Sequence, residues 1–81
     1  MMATVRLLYF ASLRDAAGLD SETVQSAAAD LAKLYEETAA RHALLWPRER
    51  LRVAVDGAFA RWEDPLADGS EVAFIPPVSG G

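Results

Sequence analysis

The chain is short, acidic and free of cysteine: it has 81 residues, a formal charge of −4, 52% apolar residues and 25% charged residues. This length suffices for one domain only, and the composition is that of a globular protein with a hydrophobic core. The lack of cysteine excludes disulfides, thiolate-bound zinc, iron–sulfur clusters and thiol nucleophiles.

The basic residues are scattered, which argues against nucleic acid as a partner. Their densest group, Arg48, Arg50 and Arg52, is typical of the solvated rim of a strand. No apolar run approaches the roughly 18 to 20 residues that span a bilayer, and the N-terminus lacks the pattern of a signal peptide. We therefore expect a cytoplasmic protein that binds neither nucleic acid nor a membrane.

The first predicted element is a strand over residues 4–10, which are rich in β-branched and aromatic side chains. One face of this strand carries Val5, Leu7 and Tyr9. Leu8 and Phe10 lie on the opposite face together with Arg6, so the strand is apolar on both sides near its end.

A short helical turn, a strand and one long helix are predicted next. Residues 12–18 predict a helical turn that Gly18 ends, and residues 21–25 predict an edge strand paired with the first. Residues 26–42 predict the long helix, with Ser26 as its N-cap and Asp30 near the positive end of the helix dipole. Its apolar stripe consists of Leu31, Leu34, Tyr35, Thr38, Ala39 and His42.

Three further strands follow the helix. Residues 51–55 and 59–62 predict a hairpin around the turn dipeptide Asp56-Gly57. Residues 71–75 predict the last strand, which Pro76-Pro77 ends because proline cannot donate to a strand ladder.

This order of elements predicts an α+β fold of the β-grasp type, a mixed β-sheet packed on one main helix. We expect a domain over residues 1–76 and a flexible, reactive C-terminal Gly-Gly tail over residues 77–81. One helix covers only one face of a sheet, and apolar residues on the other face are typical of a docking surface. The residues expected on that uncovered face are Leu8, Phe10, Phe59 and Ile75.

The chain ends in two glycines, Gly80 and Gly81, after the rigid Pro76-Pro77 pair. Glycine has no Cβ, so such an end can pass through a narrow channel and leaves the terminal carbonyl carbon open to attack. If a partner adenylates the carboxylate, a sulfur donor can replace AMP and leave a thiocarboxylate. That product would give a chain without cysteine a sulfur nucleophile.

Four segments carry a family resemblance: VRLLYFASLR at residues 5–14, residues 53–56, PLADGSEVAFI at 65–75 and PPVSGG at 76–81. Together they resemble the MoaD family, the small sulfur-carrier subunits of molybdopterin synthase. The resemblance runs from the first predicted strand to the last residue. The segments from residue 65 onwards are its most specific part, whereas the helix is generic.

The resemblance implies a ubiquitin-like fold and a sulfur-carrier role in molybdenum cofactor biosynthesis. It implies that an E1-like enzyme uses ATP to adenylate Gly81, that a sulfurtransferase supplies the sulfur of the thiocarboxylate, and that Gly80 keeps the carbon accessible. The large synthase subunit then receives the tail, and the sulfur passes to cyclic pyranopterin monophosphate in a heterotetramer of two small and two large subunits. The chain itself would bind no cofactor and no metal. The implied partner-binding residues are Leu8, Phe10, Phe59, Ile75, Pro77, Val78 and Ser79.

Catalysis by this chain alone is one alternative, and the residues argue against it. His42 is the only histidine, and the sequence places no serine or carboxylate obviously beside it. Asp64, Asp68 and Glu71 are close in sequence, but their spacing is unlike that of a calcium loop and turn chemistry explains them. We expect a subunit that is not catalytic alone.

Other carriers and modifiers share the fold and the Gly-Gly end. The chain could carry sulfur for thiamine or tRNA thiolation, or act as a ubiquitin-like modifier joined through Gly81 to lysines of target proteins. A protein that only binds a partner is a further alternative if the terminus is never activated. The ending VAFIPPVSGG favours the molybdopterin role, but the tail does not specify the acceptor.

Overall fold

The computed structural model describes residues 2–77, and within this range the chain forms five strands and two α-helices. The strands are β1 (Ala3–Tyr9), β2 (Ser21–Ser26), β3 (Arg52–Val55), β4 (Ala58–Ala60) and β5 (Glu71–Ile75). The helices are α1 (Ala11–Ala17) and α2 (Leu31–His42), and a 3-10 turn spans Arg48–Arg50.

All five strands belong to one sheet in the order β2-β1-β5-β3-β4. The central pair β1 and β5 is parallel, and the other neighbours are antiparallel. The predicted β-grasp arrangement, a mixed sheet packed on one main helix, is thereby confirmed. No helix among residues 2–77 combines the length and the apolar character that crossing a membrane needs.

The hydrophobic core lies between α2 and one face of the sheet. Phe74 of β5 is fully buried, and its ring centroid lies 5.1 Å from that of Tyr35 of α2 in an edge-on arrangement. Alternate residues of the central strands and one stripe of α2 contribute the rest. They include Val5, Leu7, Tyr9, Val53, Val72, Leu31, Leu34 and Thr38.

Helix α2 begins at Leu31, so the predicted start at residue 26 is wrong. Ser26 is the last residue of β2, where it pairs with Ala3, and its hydroxyl donates to Glu37 at 2.7 Å. Asp30 is the N-cap, since its side chain accepts a hydrogen bond from the Lys33 amide at 2.9 Å. The strand ladder and the Asp30 cap therefore outweigh the helix propensity of the alanines between them.

The shorter elements follow the predictions with small shifts. Gly18 ends α1 in the left-handed conformation with φ 79°. Strand β4 ends at Ala60, two residues earlier than predicted, because the backbone carbonyl of Trp62 accepts a hydrogen bond from the Ala32 amide at 2.9 Å. The Trp62 ring stacks on Phe74, with centroids 6.1 Å apart.

Candidate docking face

The face of the sheet turned away from α2 carries an apolar patch, called here the docking face. It consists of the four predicted residues Leu8, Phe10, Phe59 and Ile75 and of the small residues Ala54 and Ala73. All six line one open concavity of about 240 Å³, together with Gly57 and Glu71. The structure therefore brings together the four residues that strand alternation placed on the uncovered face.

Strand register explains why these residues meet. Ala73 of β5 lies beside Leu8 of β1 on one side and beside Ala54 of β3 on the other. Ala54 in turn pairs with Phe59 of β4. Cross-strand neighbours share one face of a sheet, so four strands contribute to the same patch.

Exposure separates the docking face from the core. The side chain of Phe59 is 70% exposed and that of Phe10 is 46% exposed, whereas Ala54 and Ala73 between the larger residues are buried. Two exposed phenylalanines on so small a domain are typical of a surface that binds another protein.

A tight turn positions Phe59. Asp56 and Gly57 both have positive φ, 50° and 87°, as a two-residue hairpin turn requires. The Asp56 side chain accepts a hydrogen bond from the Glu71 amide at 2.9 Å, and its own amide donates to the Glu71 carbonyl at 2.8 Å. The hairpin is thus attached to the start of β5, which fixes Phe59 relative to Ile75.

Charged side chains border the docking face. Arg6 and Glu71 form an ion pair at 4.0 Å, and the guanidinium carbon of Arg52 lies 5.5 Å from the centroid of the Phe59 ring. Arg52 is exposed on the strand, as predicted, but its contact with Phe59 was not predicted. The signal was present in the strand period, since Arg52 and Ala54 lie on one face of β3, the first strand of the hairpin, and Ala54 pairs with Phe59.

The docking face adjoins the exit of the C-terminal tail. Strand β5 ends at Ile75, Pro76 is buried, and Pro77 is exposed. The other predicted tail residues, Val78, Ser79, Gly80 and Gly81, lie outside the described residues. Among residues 2–77 no three histidine or acidic side chains are grouped so that they could hold a metal ion.

The strongest electrostatic cluster lies on the helix side of the sheet, around Glu22 of β2. The Glu22 carboxylate accepts hydrogen bonds from the Tyr9 hydroxyl and from Arg41 at 3.0 Å, and its Oε2 lies 2.6 Å from His42 Nε2. Burial alone would raise the pKa of Glu22, but the hydrogen bonds from Tyr9, His42 and Arg41 outweigh it and lower the pKa to about 2.

Burial and the bond to Glu22 raise the pKa of the Tyr9 phenol well above its usual value. This cluster joins β1 and β2 to the end of α2. Its role is structural, since its hydrogen-bonding atoms bind one another. The contact of His42 with Glu22 was not predicted, because Glu22 is 20 residues away in the chain.

Comparisons with known proteins show similarity over most of the chain. The model of the ThiS family matches residues 7–81. The molybdopterin synthase sulfur carrier subunit of Escherichia coli is 36% identical over 80 residues, which cover 95% of this chain and 99% of that protein.

Two solved structures show the same fold. One is described as subunit 1 of molybdopterin converting factor from Pyrococcus furiosus, with a TM-score of 0.79, 30% identity and coverage of 94% of this chain and 99% of that one. The other is SAMP1 from Haloferax volcanii, with a TM-score of 0.80 and 26% identity. The match covers 98% of this chain and 100% of that one.

Proposed function

The chain belongs to the ThiS family, and from this membership we propose that it is the sulfur carrier subunit of a molybdopterin synthase. The observation that carries the proposal is the 36% identity to a protein of that name over 95% of this chain and 99% of the other. The match to the ThiS family model runs over residues 7–81 and so includes the terminal Gly80-Gly81 pair that the chemistry needs.

The chemistry takes place at the Gly81 carboxyl group. A carboxylate oxygen attacks the α-phosphorus of ATP and expels pyrophosphate, which leaves an acyl adenylate. The terminal sulfur of a persulfide on the sulfurtransferase then attacks the carbonyl carbon, and AMP leaves. A thiol next attacks the sulfur that belongs to the transferase, so that the S–S bond breaks, a disulfide forms on the transferase and the thiocarboxylate is released. ATP and the catalytic groups belong to an E1-like activating enzyme and a sulfurtransferase, and the chain contributes the acceptor carboxyl and the absence of side chains around it.

The docking face supplies the binding energy for the large synthase subunit. Phe10 and Phe59 have the exposure and chemistry of residues that dominate protein interfaces. Because Ile75 belongs to this face and Pro77, two residues later, is exposed, a protein bound here is positioned to receive the tail. There the thiocarboxylate sulfur bonds to cyclic pyranopterin monophosphate, and water cleaves the acyl–sulfur bond, so that the sulfur stays on the pterin and Gly81 becomes a carboxylate again. The assembly is a heterotetramer of two small and two large subunits in the cytoplasm.

The test is the intact mass of the chain after incubation with ATP, the activating enzyme and a sulfur source. We expect one sulfur-for-oxygen exchange, located at Gly81 by fragmentation. Addition of the large subunit and the pterin precursor should then give the dithiolene product. An unchanged mass with an activating enzyme that is competent on another carrier would contradict the proposal, whereas a thiocarboxylate without dithiolene product would indicate another sulfur pathway, such as thiamine or tRNA thiolation.

A protein modifier is the second candidate, favoured by the similarity to SAMP1, which is named a small archaeal modifier protein. In that role the activated Gly81 carbonyl forms an amide with a lysine of a target protein. The two functions differ in their products: conjugates that resist reducing agents and carry a Gly81–lysine bond indicate the modifier, and free thiocarboxylate indicates the carrier.

A further inference from the structure

A second concavity lies beside the docking face, where strand β3 begins. It measures about 330 Å³, and its lining includes Glu49, Arg50 and Arg52 as well as the rings of Phe59 and Trp62. Phe59 also lines the concavity of the docking face, so the two surfaces are continuous.

Arg50 and Arg52 differ from the other basic residues in their partners. Among residues 2–77, six of the eight lysine and arginine side chains lie within 4.0 Å of a carboxylate, namely Arg6, Arg14, Lys33, Arg41, Arg48 and Arg61. Arg50 and Arg52 instead contact aromatic rings: their guanidinium carbons lie 5.9 Å from the Trp46 centroid and 5.5 Å from the Phe59 centroid.

These contacts prepare the two arginines for binding. A guanidinium that lies on an aromatic ring has already lost part of its side-chain freedom, yet keeps N–H groups that match a carboxylate. Arg50 and Arg52 therefore form a positive site on a chain whose net charge is −4.

We propose that Arg50 and Arg52 bind acidic side chains of the protein that receives the tail, beside the apolar contacts of the docking face. This inference rests on the proposed function, in which the large synthase subunit is that protein. Glu49 lines the same concavity and limits its positive charge. Two guanidiniums next to one carboxylate leave a small net positive charge. That charge is sufficient for one or two acidic side chains, but a polyphosphate or a nucleic acid needs more cationic groups.

The position of Arg52 supports this assignment. Arg52 pairs with Ile75 in the sheet, and Ile75 is the last strand residue before Pro76-Pro77. A protein that covers the docking face and receives the tail therefore approaches Arg52 as well. Opposite charge at the edge of an apolar interface acts mainly on the rate of association and on the orientation of the partners.

The experiment measures the association rate constant with the large subunit for the full chain, for the double variant Arg50→Glu/Arg52→Glu and for Lys33→Glu. Lys33 lies on α2, is exposed, and provides a charge reversal away from both concavities. At about 0.01 M ionic strength we expect the rate constant of the double variant to fall at least about 10-fold, and that of Lys33→Glu to change less than about 2-fold. At an ionic strength of about 1 M the rate constants of the three chains should converge, because salt screens the charges.

The outcomes separate this inference from the proposed function. Equal rates for the double variant and Lys33→Glu, with normal binding of the unsubstituted chain, would overturn the inference alone. A chain that does not bind the large subunit at all would overturn the proposed function and this inference with it. If phosphate in place of chloride at constant ionic strength slows the unsubstituted chain but not the double variant, the contribution of the two arginines to association is confirmed, because phosphate competes with carboxylates for the same guanidiniums. An equal effect of phosphate on both chains would overturn the inference.

Discussion

Glu22 and His42 are 20 residues apart in the chain and meet at 2.6 Å between Oε2 and Nε2. Glu22 lies on β2, and His42 is the last residue of α2. The T-shaped contact of the His42 ring with Tyr9, at 5.7 Å between centroids, adds β1 to the same junction. The end of the main helix is thus attached to the edge of the sheet by polar contacts as well as by hydrophobic packing.

Replacement of Glu22 should make the free energy of unfolding less dependent on pH in the acidic range. The pKa of Glu22 is about 2 in the folded chain, below its ordinary value of 4.5. Its contribution is therefore complete above about pH 4.5 and disappears as the pH falls towards 2. Glu22→Gln should lower the free energy of unfolding by about 1–3 kcal/mol at neutral pH, because hydrogen bonds to a charged acceptor are lost.

Urea unfolding between pH 7 and 2 checks this prediction. The difference in the free energy of unfolding between the unsubstituted chain and Glu22→Gln should become smaller below about pH 4.5. The matched control is Glu63→Gln, whose exposed pair with Arg61 at 3.7 Å is expected to contribute less than about 1 kcal/mol. A constant difference down to pH 2 would contradict the role of the Glu22 charge.

The docking face should contribute to binding without contributing to stability. Phe10→Ala and Phe59→Ala are each expected to weaken the complex with the large subunit by about 1–3 kcal/mol. Leu45→Ala is the control, because Leu45 is 92% exposed and lies outside the docking face. Titration calorimetry gives the affinities, and equal values for all three variants would show that the partner binds elsewhere.

Replacement of phenylalanine by alanine should destabilise the fold strongly on the helix side of the sheet and very little on the docking face. Phe74 is fully buried against Tyr35 and Trp62, so Phe74→Ala should lower the free energy of unfolding by about 3–5 kcal/mol. Phe59→Ala should change it by less than about 0.5 kcal/mol, since Phe59 is 70% exposed. Chemical denaturation compares the two, and similar losses would mean that Phe59 belongs to the core.

Removal of Gly81 should separate binding from sulfur transfer. The shortened chain keeps the docking face, so we expect its affinity for the large subunit to stay within about 2-fold. It ends at Gly80, one residue short of the position that the activating enzyme uses, and sulfur transfer should be lost. Affinity and thiocarboxylate formation are measured on the same preparation, and sulfur transfer at the normal rate would show that the position of the terminus is not critical.

Much of the architecture could be predicted because local sequence and tertiary environment agree. Strand β5 has the predicted bounds, since its apolar run lies between the turn at Gly69 and the proline pair. The same agreement placed Leu8, Phe10, Phe59 and Ile75 on one face. The resemblance to the MoaD sulfur-carrier family is confirmed by a relative at 36% identity.

The features that could not be predicted depend on contacts between distant residues. The start of α2 depends on the pairing of Ser26 with Ala3, which removes Ser26 from the helix. Likewise, the contacts of Glu22 with Arg41 and His42 form only because β2 and the end of α2 are neighbours. No local pattern of charge in the sequence indicates that the two elements are neighbours. Residues that act through such long-range neighbours carry no periodic signal in a single sequence.

The parallel pairing of β1 with β5 has a mechanical consequence for a chain held by its end. Strand β5 lies in the middle of the sheet, with β1 on one side and β3 on the other, and it leads directly into the tail. A pull on the terminus therefore loads the hydrogen bonds of both ladders together, in shear along the strand, and does not open them one after another. Removal of β5 from the sheet therefore requires the hydrogen bonds to both of its neighbours to break.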